Sequence, residues 1–137
     1  MTSTSAHCVL GIESSCDEMA AAILRDGELL ASIIHEQSEV HRPYGGVVPE
    51  LAGRCHIVSI DRVIKNALTQ SKTILRQVDL IAVTVGPGLV SSLLVGLNTA
   101  KALAYALQKP LVGVNHLEGH LLAIFLQEKV EFPYIAL

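Results

Sequence analysis

The chain has no tryptophan, and its aromatic residues are limited to two phenylalanines and three tyrosines. Hydrophobic residues nevertheless make up 50% of its 137 residues, which is enough for one core of ordinary domain size. That core must be built from alanine, valine, isoleucine and leucine. The scarcity of aromatic residues also excludes the aromatic and basic surfaces on which single-stranded bases stack.

Other absences limit the partners and the compartment. The net charge is −3, so the chain as a whole is not a basic nucleic-acid binder, and a local patch or a partner must supply any such function. The three cysteines, Cys8, Cys16 and Cys55, form no CxxC pair, and no basic-then-apolar signal opens the sequence. These features predict a protein of the reducing cytoplasm.

One long uncharged stretch, Leu80 to Ala100, has the length of a membrane span. Pro87 lies between two glycines in its middle, and several serines, threonines and an asparagine interrupt it. We therefore interpret it as a buried strand, a loop and a helix, and predict no membrane segment.

The order of apolar runs and breaks predicts a single α/β domain without repeats or linkers. The first three strands are expected to be antiparallel neighbours, because their connections are too short for parallel crossovers. Pro49 is well placed to begin a helix. The predicted elements are strands at Cys8–Ser14, Met19–Leu24 and Glu28–His35, a loop at His41–Val48, a helix from Pro49 to about Gln70, a strand at Val78–Val85, a helix at Ser91–Leu107, a strand at Leu111–Val114, a helix at His116–Glu128, and the start of a strand at Pro133–Leu137.

This order predicts a mixed sheet with antiparallel β1-β2-β3, followed by βα units and covered by helices. It resembles one lobe of an actin-like or RNase H-like (ASKHA) domain, an analogy of fold that carries little about function. On the helix from Pro49, apolar residues are expected to form one stripe: Ile57, Ile60, Val63, Ile64, Ala67 and Leu68. Arg54, Arg62 and Lys65 fall on the opposite face.

The first candidate motif is Glu13–Glu18, at the predicted turn between the first two strands. Ser14 and Ser15 offer hydroxyls and free backbone amides for a phosphate, while the Asp17 and Glu18 carboxylates suit a hard cation. The alternative is an ordinary polar hairpin turn.

The second motif, Thr84-Val85-Gly86-Pro87-Gly88-Leu89, joins a buried strand to a helix. Thr84, Gly86 and Gly88 are candidate phosphate contacts, because glycines allow a ligand near the backbone and a helix start favours anions. The motif is neither a Walker loop nor GxGxxG, since Ser91 replaces the third glycine. A plain strand-to-helix turn is the alternative.

The third motif, His116–His120, places two imidazoles four residues apart on one helix face, where they are candidate metal ligands. The pair alone is a weak signal. Glu118 is not in the position of the protease base in H-E-x-x-H.

The fourth motif is the His41–Glu50 segment followed by Arg54 and His56. Its two glycines suggest a moving flap with Arg42 and Tyr44 as contacts; the alternative is a surface loop.

Together and in this order, the four motifs resemble the TsaD (Gcp, YgjD) family. The resemblance covers residues 8 to 120, with Met19 and Gly53 standing where the family usually has threonine and serine. The segments that carry it are ESSCDE, YGGVVPE with Arg54 and His56, TVGPGL with a downstream AKALA, and VNHLEGH.

The resemblance implies a two-lobed, metal-dependent enzyme about twice this length, which transfers a threonylcarbamoyl group from threonylcarbamoyl-AMP to N6 of adenosine 37 in tRNAs that read ANN codons. It implies that His116 and His120 hold a divalent metal, iron or zinc, with a late aspartate as third ligand. Residues 1–137 are then expected to be the N-terminal lobe, inactive alone, because that aspartate and the nucleotide loop lie beyond Leu137.

For such an acyl transfer, Asp17 or Glu18 is expected to organise the phosphate or orient the attacking amine. Cys16 is expected to be a small packed residue rather than a nucleophile. An alternative function is a metalloprotease, against which the position of Glu118 argues. A non-catalytic TsaB-like subunit would lack the histidine pair, and an actin-like ATPase or sugar kinase would not need it.

The expected partners are tRNA, a TsaB-like paralogue and a TsaE-like ATPase. Arg54, Arg62 and Lys65 are possible tRNA contacts. The helices at 49–70 and 91–107 are expected to associate, as a homodimer or with the paralogue. The basis is the four-residue spacing of small residues, which would admit another helix: Gly96, Ala100 and Ala104.

Overall fold

A computed structural model describes residues 8–136. Its strands are β1 (Cys8–Glu13), β2 (Glu18–Arg25), β3 (Glu28–Glu36), β4 (Leu80–Gly86) and β5 (Leu111–Asn115). Its α-helices are α1 (Ser38–His41), α2 (Pro49–Gln70), α3 (Val90–Leu107) and α4 (His116–Leu122). Short 3₁₀ turns lie at Arg42–Tyr44, Leu75–Gln77 and Ala123–Leu126.

The strands form one mixed sheet in the order β3-β2-β1-β4-β5. The β1–β2 and β2–β3 pairs are antiparallel, whereas β1–β4 and β4–β5 are parallel. Asp26 and Gly27 connect β2 to β3 with φ of 53° and 84°, as a two-residue type I′ hairpin requires. The predicted mixed sheet, with its antiparallel first three strands, is confirmed.

The core lies between one face of the sheet and the helices α2 and α3. Alternate strand residues point into it, so that Leu10, Ile23 and Ile81 are completely buried. Among the described residues, the buried core cluster contains aliphatic side chains, one methionine and one cysteine, but no aromatic ring. The aliphatic core predicted from the composition is confirmed.

The small residues of α3 face the core of their own domain, contrary to the expectation that they meet another helix. Gly96, Ala100 and Ala104 are buried, together with Ser92. The Ser14 hydroxyl donates to the Ser92 carbonyl at 2.9 Å and accepts from the Gly96 amide at 3.2 Å. A larger residue at position 96 would displace Ser14, so this stripe holds α3 against the end of β1.

Three other predictions about the helices and loops need correction. Ile57 is 66% exposed because it borders the groove between α2 and α3 rather than facing the sheet. The helix from His116 ends at Leu122 and tightens into a 3₁₀ turn instead of reaching Glu128. The segment predicted as the loop His41–Val48 begins with the last residue of α1 and then a 3₁₀ turn, Arg42–Tyr44.

The strand predicted at Pro133 is also wrong for residues 133–136, and Leu137 lies outside the described residues. This segment folds back on the end of α4, where the Tyr134 hydroxyl donates to the Leu121 carbonyl at 3.0 Å. The rings of Phe125, Phe132 and Tyr134 pack together with centroids 5.4–5.8 Å apart. These rings contact one another but stay partly open to solvent, with Phe132 76% exposed.

The uncharged stretch at 80–100 forms the strand β4, a turn and the first part of α3, as interpreted. Within residues 8–136, α3 is the one helix long and apolar enough to cross a membrane by length and composition, with a mean hydropathy of 1.3. It packs on β4 and α2.

Replacing Gly96 with alanine should destabilise the chain. A Cβ atom there would lie 2.4 Å from the Ser14 hydroxyl oxygen, and overpacking of this kind costs about 1–3 kcal/mol. Gly119→Ala is the matched control, because Gly119 also lies in a helix but a Cβ there meets nothing within 4 Å. Chemical denaturation should show lower stability for Gly96→Ala only; equal stability of the two variants would contradict the packing described.

Candidate metal and anion site at the ends of the parallel strands

The three parallel strands end at one edge of the sheet. The strands β1, β4 and β5 run in the same direction and finish at Glu13, Gly86 and Asn115. In α/β sheets, ligands bind outside the carboxyl ends of such strands. Three of the four sequence motifs therefore meet at this edge.

The Glu13 carboxylate links these strand ends. Its Oε1 accepts the Ser15 backbone N–H at 2.5 Å, which shapes the following turn. Its Oε2 accepts the Thr84 hydroxyl from β4 and lies 3.4 Å from Nδ1 of His116. One side chain thus contacts the first turn, the glycine-containing motif and the histidine motif.

The surroundings of Glu13 favour its ionised form. Burial by itself raises the pKa of this carboxyl, but hydrogen bonds from Ser15, Thr84 and His116 outweigh burial and lower the pKa below its ordinary value of 4.5. Glu13 is therefore a carboxylate at neutral pH.

The histidine pair begins α4. The Asn115 side chain caps this helix by accepting the amides of Leu117 and Glu118 at 2.9 Å and 3.3 Å, as an N-cap residue does. This cap places His116 in the first turn and His120 one turn later. Their Nε2 atoms lie 3.0 Å apart, with the rings at right angles.

The contacts of His116 determine which of its nitrogens is available. Nδ1 lies 3.1 Å from the Ser15 hydroxyl and 3.4 Å from the Glu13 carboxylate, which can only accept there. The proton therefore belongs on Nδ1, and Nε2 turns its lone pair toward His120. Histidines that bind a metal through one ring nitrogen commonly donate the N–H of the other nitrogen to a carboxylate, which fixes the orientation of the ring.

These residues fit a metal ion as two of its ligands. Two nitrogens each about 2.0–2.1 Å from one tetrahedral ion stand roughly 3.3 Å apart, close to the separation of the His116 and His120 Nε2 atoms. Among residues 8–136, no group of three or more potential ligands surrounds a single point. The described residues thus offer such an ion two imidazole nitrogens.

The glycine-containing motif packs against the first turn. The Leu89 amide donates to the Ser15 carbonyl at 2.7 Å, and a Cβ on Gly88 would lie 2.5 Å from that same oxygen. Gly88 is thus required by contact between the two turns. Gly86 has φ of +150° and open space beside it, so its backbone remains accessible.

Within the Glu13–Glu18 motif, the predicted residues lie in different surroundings. Ser14 is completely buried and bound to α3 on both sides, and Ser15 is 4% exposed. Asp17 is half-buried and Glu18 exposed. The Ser14 hydroxyl therefore belongs to the fold, and the outer part of the turn faces solvent.

Cys16 is exposed, so the expectation that it is packed is wrong. Partial desolvation of its sulfur, together with the neighbouring Asp17 carboxylate, raises the pKa of the Cys16 thiol. A raised pKa leaves less thiolate at neutral pH, which agrees with the prediction that Cys16 is no nucleophile.

A cavity of about 380 Å³ adjoins the histidine pair, within the size range of small-molecule sites. Its floor is the sheet face opposite the core, where small residues such as Gly11, Ala20 and Ala82 leave room. Glu13, Thr84, His116 and His120 line one end.

The predicted basic stripe on α2 is largely neutralised along its own helix. Arg54 pairs with Glu50 at 2.6 Å and Lys65 with Asp61 at 2.7 Å, all exposed. Arg62 lies 3.4 Å from Nδ1 of His35 on β3. The stripe is remote in sequence from the histidine pair, and none of its bonds reaches Glu13.

The sequence motifs did not identify the roles of Glu13 and of the Thr84 side chain. The sequence motifs make Glu13 only the first residue of a turn and Thr84 a candidate phosphate contact. The available signal is that each lies near the end of a predicted strand: Glu13 in Cys8–Ser14 and Thr84 in the buried strand Val78–Val85.

Comparison with known proteins identifies the family. The family model described as "TsaD: tRNA N6-adenosine threonylcarbamoyltransferase" matches residues 28–137. The chain belongs to the TsaD family.

Two curated relatives carry that same description. The protein of Geotalea uraniireducens (strain Rf4) is 57% identical over 130 residues, and that of Syntrophus aciditrophicus (strain SB) is 60% identical over 131 residues. The alignments cover 94% of this TsaD-family chain but only 38% and 39% of the relatives. The chain therefore spans less than two-fifths of the length of these relatives.

Among solved structures, YeaZ from Pseudomonas aeruginosa superposes with a TM-score of 0.59 at 23% identity, over 79% of this chain and 44% of that one. At this identity the likeness concerns the fold alone. It confirms the predicted actin-like/RNase H-like lobe for the TsaD-family chain.

The lowered pKa of Glu13 predicts a dependence of stability on pH. Because the folded state holds this carboxyl ionised, its contribution is complete above pH 4.5 and is lost as pH falls through the lowered folded pKa. Glu13→Gln should flatten this acid loss, while costing about 1–3 kcal/mol at neutral pH.

Denaturation curves recorded from neutral to acidic pH measure both effects. Glu128→Gln, on an exposed residue, changes the net charge equally and should leave the acid dependence unchanged. An identical acid dependence of Glu13→Gln and the wild-type chain would contradict the role of Glu13.

Proposed function

We propose that this chain forms the metal-binding N-terminal lobe of an enzyme that transfers a threonylcarbamoyl group from threonylcarbamoyl-AMP to N6 of adenosine 37 in tRNAs reading ANN codons. The observation that carries the proposal is the convergence of the two Nε2 atoms of His116 and His120, 3.0 Å apart, with Glu13 behind His116. Family membership adds the reaction class.

The reaction itself asks little covalent chemistry of the protein. The N6 amine attacks the carbonyl carbon of the mixed anhydride, the bond to the phosphate oxygen breaks, AMP leaves and the amine loses a proton. Its main requirements are alignment of the amine and stabilisation of the charge that develops on the carbonyl oxygen. A divalent ion, iron or zinc, held by His116 and His120 would act as a Lewis acid.

The residues of the chain then have separate tasks. Asp17 and Glu18, on the solvent side of the first turn, would orient the attacking amine or accept its proton. The accessible backbone at Gly86, with Ser15, Thr84 and Gly88 beside it, would lie near the phosphate of the adenylate. Ser14 would support this turn from within the core, where its hydroxyl is already bonded.

The proposed partners follow from the exposed helices. The groove between α2 and α3 is lined by apolar side chains that include Ile57 and Leu94, and Val58 beside it is 82% exposed. We propose that a TsaB-like paralogue, or a second copy of this chain, covers this groove, and that a TsaE-like ATPase acts with the assembly.

The proposed tRNA contacts are Arg54, Arg62 and Lys65 on α2. Of these three residues, Arg62 is the one whose hydrogen bond is not to a carboxylate. The reaction places the protein in the cytoplasm.

A chimeric enzyme tests the proposed function. The matched 130 residues of the Geotalea uraniireducens relative would be replaced by those of this chain, and transfer to unmodified tRNA measured with threonylcarbamoyl-AMP supplied. The chimera should be active and contain metal. His116→Ala or His120→Ala in the chimera should lose bound metal and activity together, because each removes one of two ligands in this lobe.

Arg76→Ala is the control, since Arg76 is exposed and precedes β4, at the end of that strand away from the histidine pair. The 137-residue chain alone should be inactive in the same assay. Full activity of a metal-free chimera with both His116 and His120 replaced would refute the assignment.

The exposed groove predicts self-association of the isolated chain. Light scattering at micromolar concentration should show a dimer, and Ile57→Glu with Leu94→Glu should make it a monomer by placing charges in the apolar groove. Ile34→Glu, on the edge strand β3 and also exposed, should leave the dimer intact. A monomeric wild-type chain would exclude this surface as a homodimer interface.

A further inference from the structure

Three buried polar side chains connect the loop after α1 to the turn after β1. Gln37, His41 and His56 are 2%, 4% and 0% exposed, respectively. The Val48 amide donates to Nδ1 of His41 at 3.2 Å, and Nε2 of His41 meets Oε1 of Gln37 at 3.1 Å. Nε2 of Gln37 meets Nδ1 of His56 at 3.1 Å, and Nε2 of His56 meets the Cys16 carbonyl at 2.8 Å.

These hydrogen bonds form a relay that runs from the Val48 amide through His41, Gln37 and His56 to the Cys16 carbonyl. The two backbone groups at its ends determine the direction of every hydrogen bond in the relay. An amide N–H at Val48 can only donate, so Nδ1 of His41 accepts and its Nε2 carries the proton. A carbonyl at Cys16 can only accept, so Nε2 of His56 donates and its Nδ1 accepts from Gln37. Both histidines are therefore neutral, with the proton on Nε2.

The opposite orientation of the Gln37 amide is excluded. Its NH₂ group would then face Nε2 of His41, whose two nitrogens would both have to accept, which leaves the ring without a proton. Its oxygen would face Nδ1 of His56, whose two nitrogens would both have to donate, which makes a cation of a completely buried ring. The Gln37 NH₂ group also lies 3.4 Å from the Ala52 carbonyl, an acceptor.

We propose that Gln37, His41 and His56 are positioning residues, which set the conformation of the Cys16–Glu18 turn through the Cys16 carbonyl and couple that turn to the Arg42–Val48 loop. The turn carries the carboxylates of Asp17 and Glu18, and the loop carries Tyr44, which is 64% exposed. The coupling can be observed in the free protein, so it does not depend on the reaction proposed above.

The physical basis of the coupling is that breaking one hydrogen bond of the relay leaves a buried polar group without a partner. Each member is buried, and a buried donor or acceptor left without a partner costs more than the bond itself contributes. Movement of the Val48 amide away from His41 therefore favours rearrangement of Gln37 and His56, and with them of the Cys16 carbonyl.

The surroundings of His56 also affect its pKa. Burial lowers the pKa of His56 and outweighs the raising effects of the Cys16 carbonyl, Glu13 and Asp17. His35, on the neighbouring strand β3, lowers it further. A neutral His56 is thus consistent with the direction of the relay.

Long-range ¹H–¹⁵N spectra of the imidazole nitrogens test the proposal in the 137-residue chain. In the wild type at neutral pH, His41 and His56 should both show the neutral form protonated on Nε2. Gln37→Glu has the same shape but presents two acceptors, so His56 should gain a proton on Nδ1 and titrate at higher pH. The backbone amide signals of Cys16–Glu18 and of Tyr44–Val48 should shift together.

Gln127→Glu makes the same chemical change on an exposed residue and should alter neither histidine nor either set of amides. If Gln37→Glu does not fold, Gln37→Met breaks the relay without adding charge, and both sets of amide signals should again shift. A wild-type His56 protonated on Nδ1, or a Gln37 variant that shifts one set of amides without the other, would overturn the proposal.

Discussion

The Glu13 carboxylate is the interaction on which the arrangement of the site depends. It stands at the end of β1, the central strand of the sheet, and binds a backbone amide of its own turn, a hydroxyl from β4 and the outer nitrogen of His116. Without it, three groups that are distant in sequence would have no common acceptor. Because three donors surround it, the carboxylate remains charged despite its burial, and a charged acceptor makes the stronger hydrogen bonds.

Close backbone contacts make this convergence possible. Gly88 lets the turn after β4 rest directly on the Ser15 carbonyl, and Gly96 lets α3 accept the Ser14 hydroxyl between two of its own backbone groups. A side chain at Gly88 would collide with the Ser15 carbonyl, and one at Gly96 with the Ser14 hydroxyl. The small residues of α3 therefore serve the site from inside the domain, while some larger apolar residues, such as Ile57, Val58 and Leu94, remain exposed on the outer sides of α2 and α3.

Much of the architecture could be predicted because local signals define it. Breaks between apolar runs are marked by Asp26–Gly27, Pro49 and the glycines around Pro87. The sequence therefore predicts the five strands of the sheet and the two long helices to within a residue or two, although it also predicts a strand at Pro133 that residues 133–136 do not form. The spacing of the histidine pair gives only a weak signal, and the pair becomes a strong candidate through its company with the other three motifs. The roles of Glu13 and Gly96 could not be predicted, because they depend on β1 lying beside β4 and under α3.

The relay through Gln37 could not be predicted for the same reason, because it depends on contacts between residues that are distant in sequence. Nothing in the sequence near Gln37 distinguishes it from a surface glutamine, and its importance appears only when α2 brings His56 between it and Cys16. The error about Ile57 has a related origin, since periodicity cannot separate a residue that faces the sheet from one that borders a neighbouring helix. The residues that follow α4 form an aromatic cluster that the local pattern does not reveal.

The most direct test of the account is anomalous diffraction from crystals of the chain grown with zinc or iron(II). The account predicts one ion bound to the Nε2 atoms of both His116 and His120, with Glu13 still in contact with Nδ1 of His116. An ion bound through Nδ1 of His116, with the Glu13 carboxylate displaced, would contradict it, as would an ion bound elsewhere with the histidine pair unchanged.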